Sequence, residues 1–477
     1  MLRFALLLPL LFPLALRAQA PLTLADVIDL TQRQSVAARQ AATGREVAYW
    51  QWRRYRADFH PQLSLVGTLP DFSRAIMPVV QPDGTTDFRA VRLNNSNLQL
   101  AVTQNIGLTG GQVFVASGMQ RFDDFNSNLR RYNSQPFAVG LTQPLRGFNQ
   151  LAWARRTEPL RYEEAQRQAT QDREAIAQQV TERFFAVLLQ QQQAALAAQN
   201  ENIASELLRL GRERLKLGRI SQADVLLLEL NQLTAQQNRQ SAEIAAQNAA
   251  LDLRNYAGLP PEHPLRLAVP EPAPAVRVTP DEALSQARQR RPEAIAFRRR
   301  LLEADRGVAQ ARFSGGLQAS LTANLGYINR SETLLDSYLN PQNQQQLRLA
   351  FSLPIIDWGR QRASVKVAEA TRELTRRTIA QDEITFEQAV LTQAAQLPTL
   401  SQQVRLAARA DSLAQRRYAI TQEVYKVGRL SLTDLNIAQQ GKDAARIAYL
   451  DALRAAWVAH YRLRGLTLYD FVQQEGL

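Results

Sequence analysis

Cysteine is absent from all 477 residues. That excludes disulfide scaffolds, thiol catalysis, thiolate metal sites and a lipidated N-terminal cysteine. Histidine is nearly absent as well. His60, His263 and His460 lie far apart, and none stands in a metal-binding spacing. There is no glycine-rich phosphate loop and no nucleophile elbow. The expectation is a chain that is not an enzyme and carries no cofactor or metal. Long apolar runs are also missing. Beyond residue 20 nothing approaches the ~20 apolar residues of a membrane-spanning helix. Any bilayer crossing must therefore use β-strands closed into a barrel.

The one apolar run opens the chain, as MLRFALLLPLLFPLALRAQA. Arg3 is a positive n-region, Phe4 to Leu16 an apolar core, and Ala18-Gln19-Ala20 a peptidase site. Residues 1–20 are thus expected to be a secretory signal, cut after Ala18 or Ala20. Lys and Arg number 57 against 44 Asp and Glu, a net charge of +13. In an exported chain with arginines scattered as RRYR, FRRR and LTRRT, these are expected on solvated helix faces, with acidic lipid headgroups as the alternative partner. No nucleic-acid partner is expected.

The chain repeats itself. KLGRISQADV (Lys216 to Val225) returns as KVGRLSLTDL (Lys426 to Leu435), 210 residues later. At the same offset LTQPLRGF faces FSLPIIDW, so Pro144 meets Pro354 and Phe148 meets Trp358. Earlier, ADFHPQLSL faces ARFSGGLQA at an offset of 254, which leaves about 44 extra residues in the first half. The reading is two structural repeats, 21–259 and 281–477, joined by a proline-rich extended linker at 260–280.

Each repeat runs helix, strands, long helices. In LQASLTANLGY, Leu317, Ala319, Leu321, Ala323, Leu325 and Tyr327 alternate with Gln318, Ser320, Thr322 and Asn324. QLRLAFSLP repeats the pattern, with Leu347, Leu349, Phe351 and Leu353 opposite Arg348, Ala350 and Ser352. Period-two alternation marks strands with one apolar and one polar face. Barrel strands are expected at about 62–143 and 317–354, and long helices at about 150–257 and 360–464. Ala, Gln, Glu, Arg and Leu fill the helical stretches 155–217 and 360–427. Over 60 residues, such a helix is roughly 90 Å long. Pro398 is expected to kink the second of them. Trp50, Trp52 and Tyr55 are placed in the core or at a barrel–tunnel junction.

These features together resemble the TolC-like outer-membrane efflux family across the mature chain. The resemblance rests on the twofold repeat, TLADVIDLTQRQS at the start, the x-G-R-[IL]-S-x-x-D-[VL] phrase after each long helix, and the strand exits TQPLRGFNQ and LPIIDWGRQR. It implies an α+β membrane protein: a homotrimer sharing one transmembrane β-barrel, continued by a long periplasmic α-helical barrel. The residue-level reading points the same way. Four strands per chain cannot close a barrel, whose smallest form has about eight, so several chains must share one. The additional Asn97 to Gly118 segment departs from the simplest family pattern, and on sequence alone it fits inside the barrel or outside it.

The repeated phrase has a physical reading of its own. Gly218 and Gly428 stand where a long helix must stop, in the left-handed conformation glycine tolerates. Ser221 and Ser431 follow as N-caps, with Asp224 and Asp434 at the third helical position. Capping leaves Arg219, Ile220, Arg429 and Leu430 without a role. The resemblance supplies one: tips carrying Arg-aliphatic-Ser dock the helical hairpin of a periplasmic adaptor protein. It also implies a periplasmic gate at Asp224, Tyr425 and Asp434, with Asp224 linked to Tyr425. Ile437 replaces the second acidic residue found in the family, leaving a single ring of Asp434 against simple capping.

The implied function is a passive exit duct for a tripartite efflux or type I secretion system, in the outer membrane of a Gram-negative bacterium with a large periplasmic part. Its expected partners are further copies of itself, an adaptor, an inner-membrane transporter and outer-membrane lipid. Two competing readings are a periplasmic adaptor and a structural coiled-coil envelope protein. An adaptor would carry one helical hairpin, not two matched long helices with two-faced strands. Drug, metal ion and protein all remain open as cargo.

Overall fold

The computed structural model describes residues 21–477 apart from 261–264, 275, 427, 428 and 431. The expected signal segment, His263, Gly428 and Ser431 lie outside the described residues. The first half runs α1 (Leu24–Gln34), α2 (Val36–Ala57), β1 (Gln62–Thr68), β2 (Phe72–Val80), β3 (Thr86–Ile106), β4 (Gly111–Asp124), β5 (Leu129–Arg146), α3 (Gln150–Lys216) and α4 (Gln222–Ala257). The second runs α5 (Pro280–Arg290), α6 (Pro292–Ser314), β6 (Gln318–Ser331), a 3-10 turn at Asp336–Tyr338, β7 (Gln342–Ser352), α7 (Arg360–Lys426) and α8 (Leu432–Thr467), then β8 (Tyr469–Asp470) and β9 (Glu475–Gly476). Element lengths match between the halves: 67 residues for α3 and α7, 36 for α4 and α8, and 11 for α1 and α5. Each 67-residue helix is continuous through its internal proline, Pro159 or Pro398.

The chain divides into two compact units. One comprises the N-terminal segment to Thr43, Ala169–Arg290 and Gln388–Leu477. Its core gathers Val27 and Ile28 of α1, Val180, Phe184 and Phe185 of α3, Leu253 of α4, Val404 of α7, and Leu450 and Leu453 of α8. A capping box fixes the start of α1: Thr23 and Asp26 each bond the other's backbone N–H. The linker is tied to the segment before α1, since Leu22 N–H donates to the Arg266 carbonyl at 2.7 Å and the Leu22 carbonyl accepts from Ala268 N–H at 3.0 Å. Hydrogen bonds clasp the helices in pairs. Arg239 bridges α4 to Glu201 of α3 at 2.8 Å, and Arg446 of α8 reaches the buried Asp411 of α7 at 3.1 Å. Between α3 and α8, Gln439 donates to Asn200, which donates to Asp443 at 3.2 Å.

The other unit, Gly44–Gln168 with Arg291–Glu387, holds one seven-stranded antiparallel sheet. Its order is β1-β3-β4-β5-β6-β7, with β2 also paired to β3. β1 occupies residues 97–103 of β3, and β2 occupies residues 86–94. β2 and β4 share Leu93 and Asn94 as partners, so they lie on opposite sides of β3. β1 and β2 are therefore one strand column interrupted at residues 69–71, and the sheet has six columns. The segment at 97–118, which the sequence left inside or outside the set of strands, belongs to the sheet and takes the count beyond four per chain. Alternation marks strands but says nothing about which strands are neighbours. Here β3 and β4 saturate each other's backbone and continue the apolar face of the columns beside them.

Directly paired residues share a face, so the register sorts the side chains. One face carries Leu63 and Leu65, Leu100 and Val102, Val113 and Val115, Val139 and Leu141, Leu321 and Leu325, then Leu347, Leu349 and Phe351. These are the residues an ordinary core would hide, yet Leu63 is 68% exposed, Leu347 75% and Phe351 74%. The other face carries Gln99, Thr103, Gln112, Gln120, Asn133, Thr142, Thr322, Asn324, Gln346 and Arg348, with large apolar exceptions that include Val66, Met77, Val91, Leu93, Phe114, Phe122, Leu129 and Ile328. Pro136 and Pro144 both fall at register shifts of β5, where a missing N–H removes no ladder bond.

The aromatic residues before the first strand form a stack in this unit. Trp52 lies flat on Tyr162 at 5.6 Å and tilts against Tyr55, while Trp50 stays exposed. Some of the scattered arginines are not simply solvated. Arg299 of α6 is bidentate to Glu164 of α3 at 2.5 and 3.0 Å and also bonds Glu303. Arg300 reaches Asp382 of α7. A solvated face and an interhelical ion pair are the same residue types in sequence; only packing tells them apart.

Candidate functional site

Two features remain once the cores are accounted for: the helix-hairpin tips and the two-faced sheet. At the first tip Gly218 has φ +68°, the left-handed conformation. Gly218 N–H donates to Leu215 O at 2.9 Å and Arg219 N–H to Arg214 O at 2.9 Å, closing α3. Ser221 caps α4: its hydroxyl accepts from Asp224 N–H at 3.1 Å, and one Asp224 carboxylate oxygen accepts from the Ser221 N–H and hydroxyl at 2.9 and 2.7 Å. Those bonds hold the Asp224 carboxyl below the usual aspartate range, the Ser221 side chain contributing most. At the second tip Arg429 N–H donates to Val424 O at 3.2 Å, matching the bond made by Arg219.

Arg219, Arg429 and Asp434 are exposed, as is Leu430 at 36%. Ile220 differs from expectation. It is half-buried against Leu208, Val225 and Leu228, so much of its apolar surface serves the hairpin itself. The more exposed aliphatics near this tip are Leu217 at 69% and Leu226 at 60%, which the repeated phrase did not single out. Their signal in sequence is weak: Leu217, inside the repeat, and Leu226, just beyond it, both look like core. The implied Asp224–Tyr425 link is not formed among the described residues. Asp224 is engaged by Ser221, and Tyr425 packs on Tyr418, Leu435 and Ala438 of its own hairpin.

Among the described residues no group of histidines and carboxylates is arranged to hold a metal, and no helix is long and apolar enough to cross a membrane. An exposed apolar face spanning all six strand columns is far beyond the scattered apolar residues of a soluble surface. Residues 283–467, from within α5 to the end of α8, match the family model described as outer membrane efflux protein.

The second half of the chain is similar to an outer membrane efflux protein domain.

The fold of the chain is that of solved outer-membrane channels. The chain superposes on the CmeC outer membrane channel of Campylobacter jejuni with a TM-score of 0.67 and 16% identity, covering 94% of this chain and 88% of that one. For VceC, an outer membrane protein of Vibrio cholerae, the TM-score is 0.64 at 13% identity, with 93% and 96% covered. For the open-state MtrE outer membrane channel of Neisseria gonorrhoeae it is 0.62 at 16% identity, with 93% and 88% covered. No curated protein sequence matches the chain.

Proposed function

We propose that the chain is the outer-membrane duct of an export system, passing solutes passively from a periplasmic adaptor and an inner-membrane pump to the exterior. The two-faced sheet carries this reading. Its apolar face suits lipid and its polar face suits a water-filled lumen. Its outer columns, β1–β2 and β7, each have one unpaired backbone edge among the described residues, and lipid does not tolerate such edges. Six columns are too few to close, whereas three copies give eighteen. That lies in the size range that encloses an aqueous channel, roughly 16–18 strands. An even number per copy also lets β7 meet the next β1 antiparallel. The helices favour the same assembly: Leu406, Leu413 and Ile420 recur every seventh residue of α7 and are 60%, 56% and 66% exposed, a coiled-coil seam. The two repeats are then two matching wall segments of one trimer.

In this reading the tips face the periplasm, and Arg219 with Ile220 and Ser221, and Arg429 with Leu430 and Ser431, dock the adaptor beside Gly218 and Gly428. Asp434 narrows the aperture as a ring of carboxylates. Extracted from the outer membrane in detergent, the protein should run as a trimer and add stepwise conductance to a planar bilayer. A soluble monomer without conductance overturns the duct. Reversing the tip charges with Arg219→Glu and Arg429→Glu should abolish cross-linking to the adaptor while conductance persists; retained cross-linking removes the tips from docking. In the same bilayers Asp434→Ala should weaken block by divalent cations, and unchanged block leaves Asp434 a capping role alone.

A further inference from the structure

The polar face of the sheet is not electrically neutral. Its charged residues are Asp87, Arg89, Asp124, Arg131, Arg330 and Arg348, placed there by their cross-strand partners. Arg89 pairs with Asp87 at 3.0 Å. Asp124 is taken up by its own turn, accepting from Asn126 N–H at 2.9 Å and the Ser127 hydroxyl at 2.7 Å. The three remaining arginines make no ion pair among the described residues. Glu332, the residue after β6, is exposed, and counting it still leaves the face positive. Arg330 stands directly opposite Asn133, two residues from Arg131 on β5. Such diagonal neighbours lie ~7–8 Å apart, within the ~8 Å screening length of physiological salt, so their fields add. An amide ladder supplies donors beside them: Gln120 donates to Asn95 at 2.6 Å, and Asn133 donates to Gln120 at 3.3 Å. Together they line a hollow of about 710 Å³ with Phe122, large enough for a small organic anion.

We propose that Arg131, Arg330 and Arg348 are specificity-determining residues that make the strand-built part of the lumen favour anions, so that the transported solutes include compounds bearing carboxylate, phosphate or sulfonate groups. The inference rests on the duct reading, which puts this face on the lumen. Three unpaired arginines per copy in a water-filled channel are cheaply hydrated, and in a trimer they project a field of one sign across the path.

The test is the reversal potential of the full-length trimer in a planar bilayer under a KCl gradient. Arg131→Gln, Arg330→Gln and Arg348→Gln combined should lower the chloride-to-potassium permeability ratio by about two- to threefold. The loss should be larger at low salt, as screening requires. The matching triple replacement by Lys should keep the wild-type ratio, which separates charge from shape. The difference between variants decides, so an opposing contribution from the aperture aspartates does not mask it. An unchanged ratio in the Gln variant overturns the anion lining and leaves the duct standing. Absence of any conductance from the wild-type trimer overturns both.

Discussion

A chain carrying Leu349→Arg should be missing from the proposed outer-membrane trimer, whereas Gln346→Arg, three residues away on the same strand, should assemble normally. Leu349 pairs with Leu321 on the apolar face and Gln346 with Asn324 on the polar face. Leu349 sits among Leu347 and Phe351, all more than half exposed in the single chain. If that face meets lipid, an arginine near mid-membrane costs ~2–4 kcal/mol per copy. Three copies make that about 6–12 kcal/mol, comparable with the whole stability of a folded domain at ~5–15 kcal/mol. On the polar face the same arginine stays hydrated and joins Arg348. Membrane fractionation followed by a non-denaturing gel reads both variants. Equal assembly of the two would mean that the sheet does not separate lipid from water.

What could be read from the sequence follows from how local each cause is. The tip turn was legible because Gly218, Ser221 and Asp224 act within a few residues of one another, and their bonds appear at 2.7 to 3.1 Å. The two-faced character of β6 and β7 was legible because alternation is a property of a single strand. The six-column sheet was not. Whether Val113 and Val115 extend the face formed by Leu100 and Val102 depends on pairing register, which a period of two leaves undetermined. Ile220 shows the same limit at a tip: its exposure depends on where Leu208 and Leu228 lie, and both belong to helices flanking the turn. The ionic cluster around Arg464 was invisible because its members come from α3, α8 and the C-terminal tail.

That cluster carries a second large stability effect. Arg464 is bidentate to Glu174 at 3.0 and 3.2 Å and also bonds Asp470 at 2.9 Å, tying the C-terminal segment to α3. Glu174 is 7% exposed and Asp470 5%. Burial pushes the Glu174 carboxyl up, and Arg464 opposes the rise. Arg464→Ala strands two buried carboxylates and should cost ~3–5 kcal/mol, read as a lower unfolding midpoint of the protein. Adding Glu174→Gln and Asp470→Asn to Arg464→Met should recover much of the loss, since the damage is unpaired charge and not lost volume. His460, one turn before Arg464, separates this account from a generic packing defect. Burial pushes its imidazole down to about 4 from an ordinary 6.5. Between those values the unfolded chain binds a proton that the folded chain refuses, so stability falls on acidification through this window, by about 3 kcal/mol in all. Glu174, shifted upward, works in the opposite direction, its burial penalty being relieved as it protonates. The difference between wild type and His460→Phe cancels Glu174 and every other titrating group the two share. That difference should shrink steadily from pH 6.5 to 4 and stay flat above 6.5. A pH-independent difference would show that His460 is solvated and that the cluster is open to water.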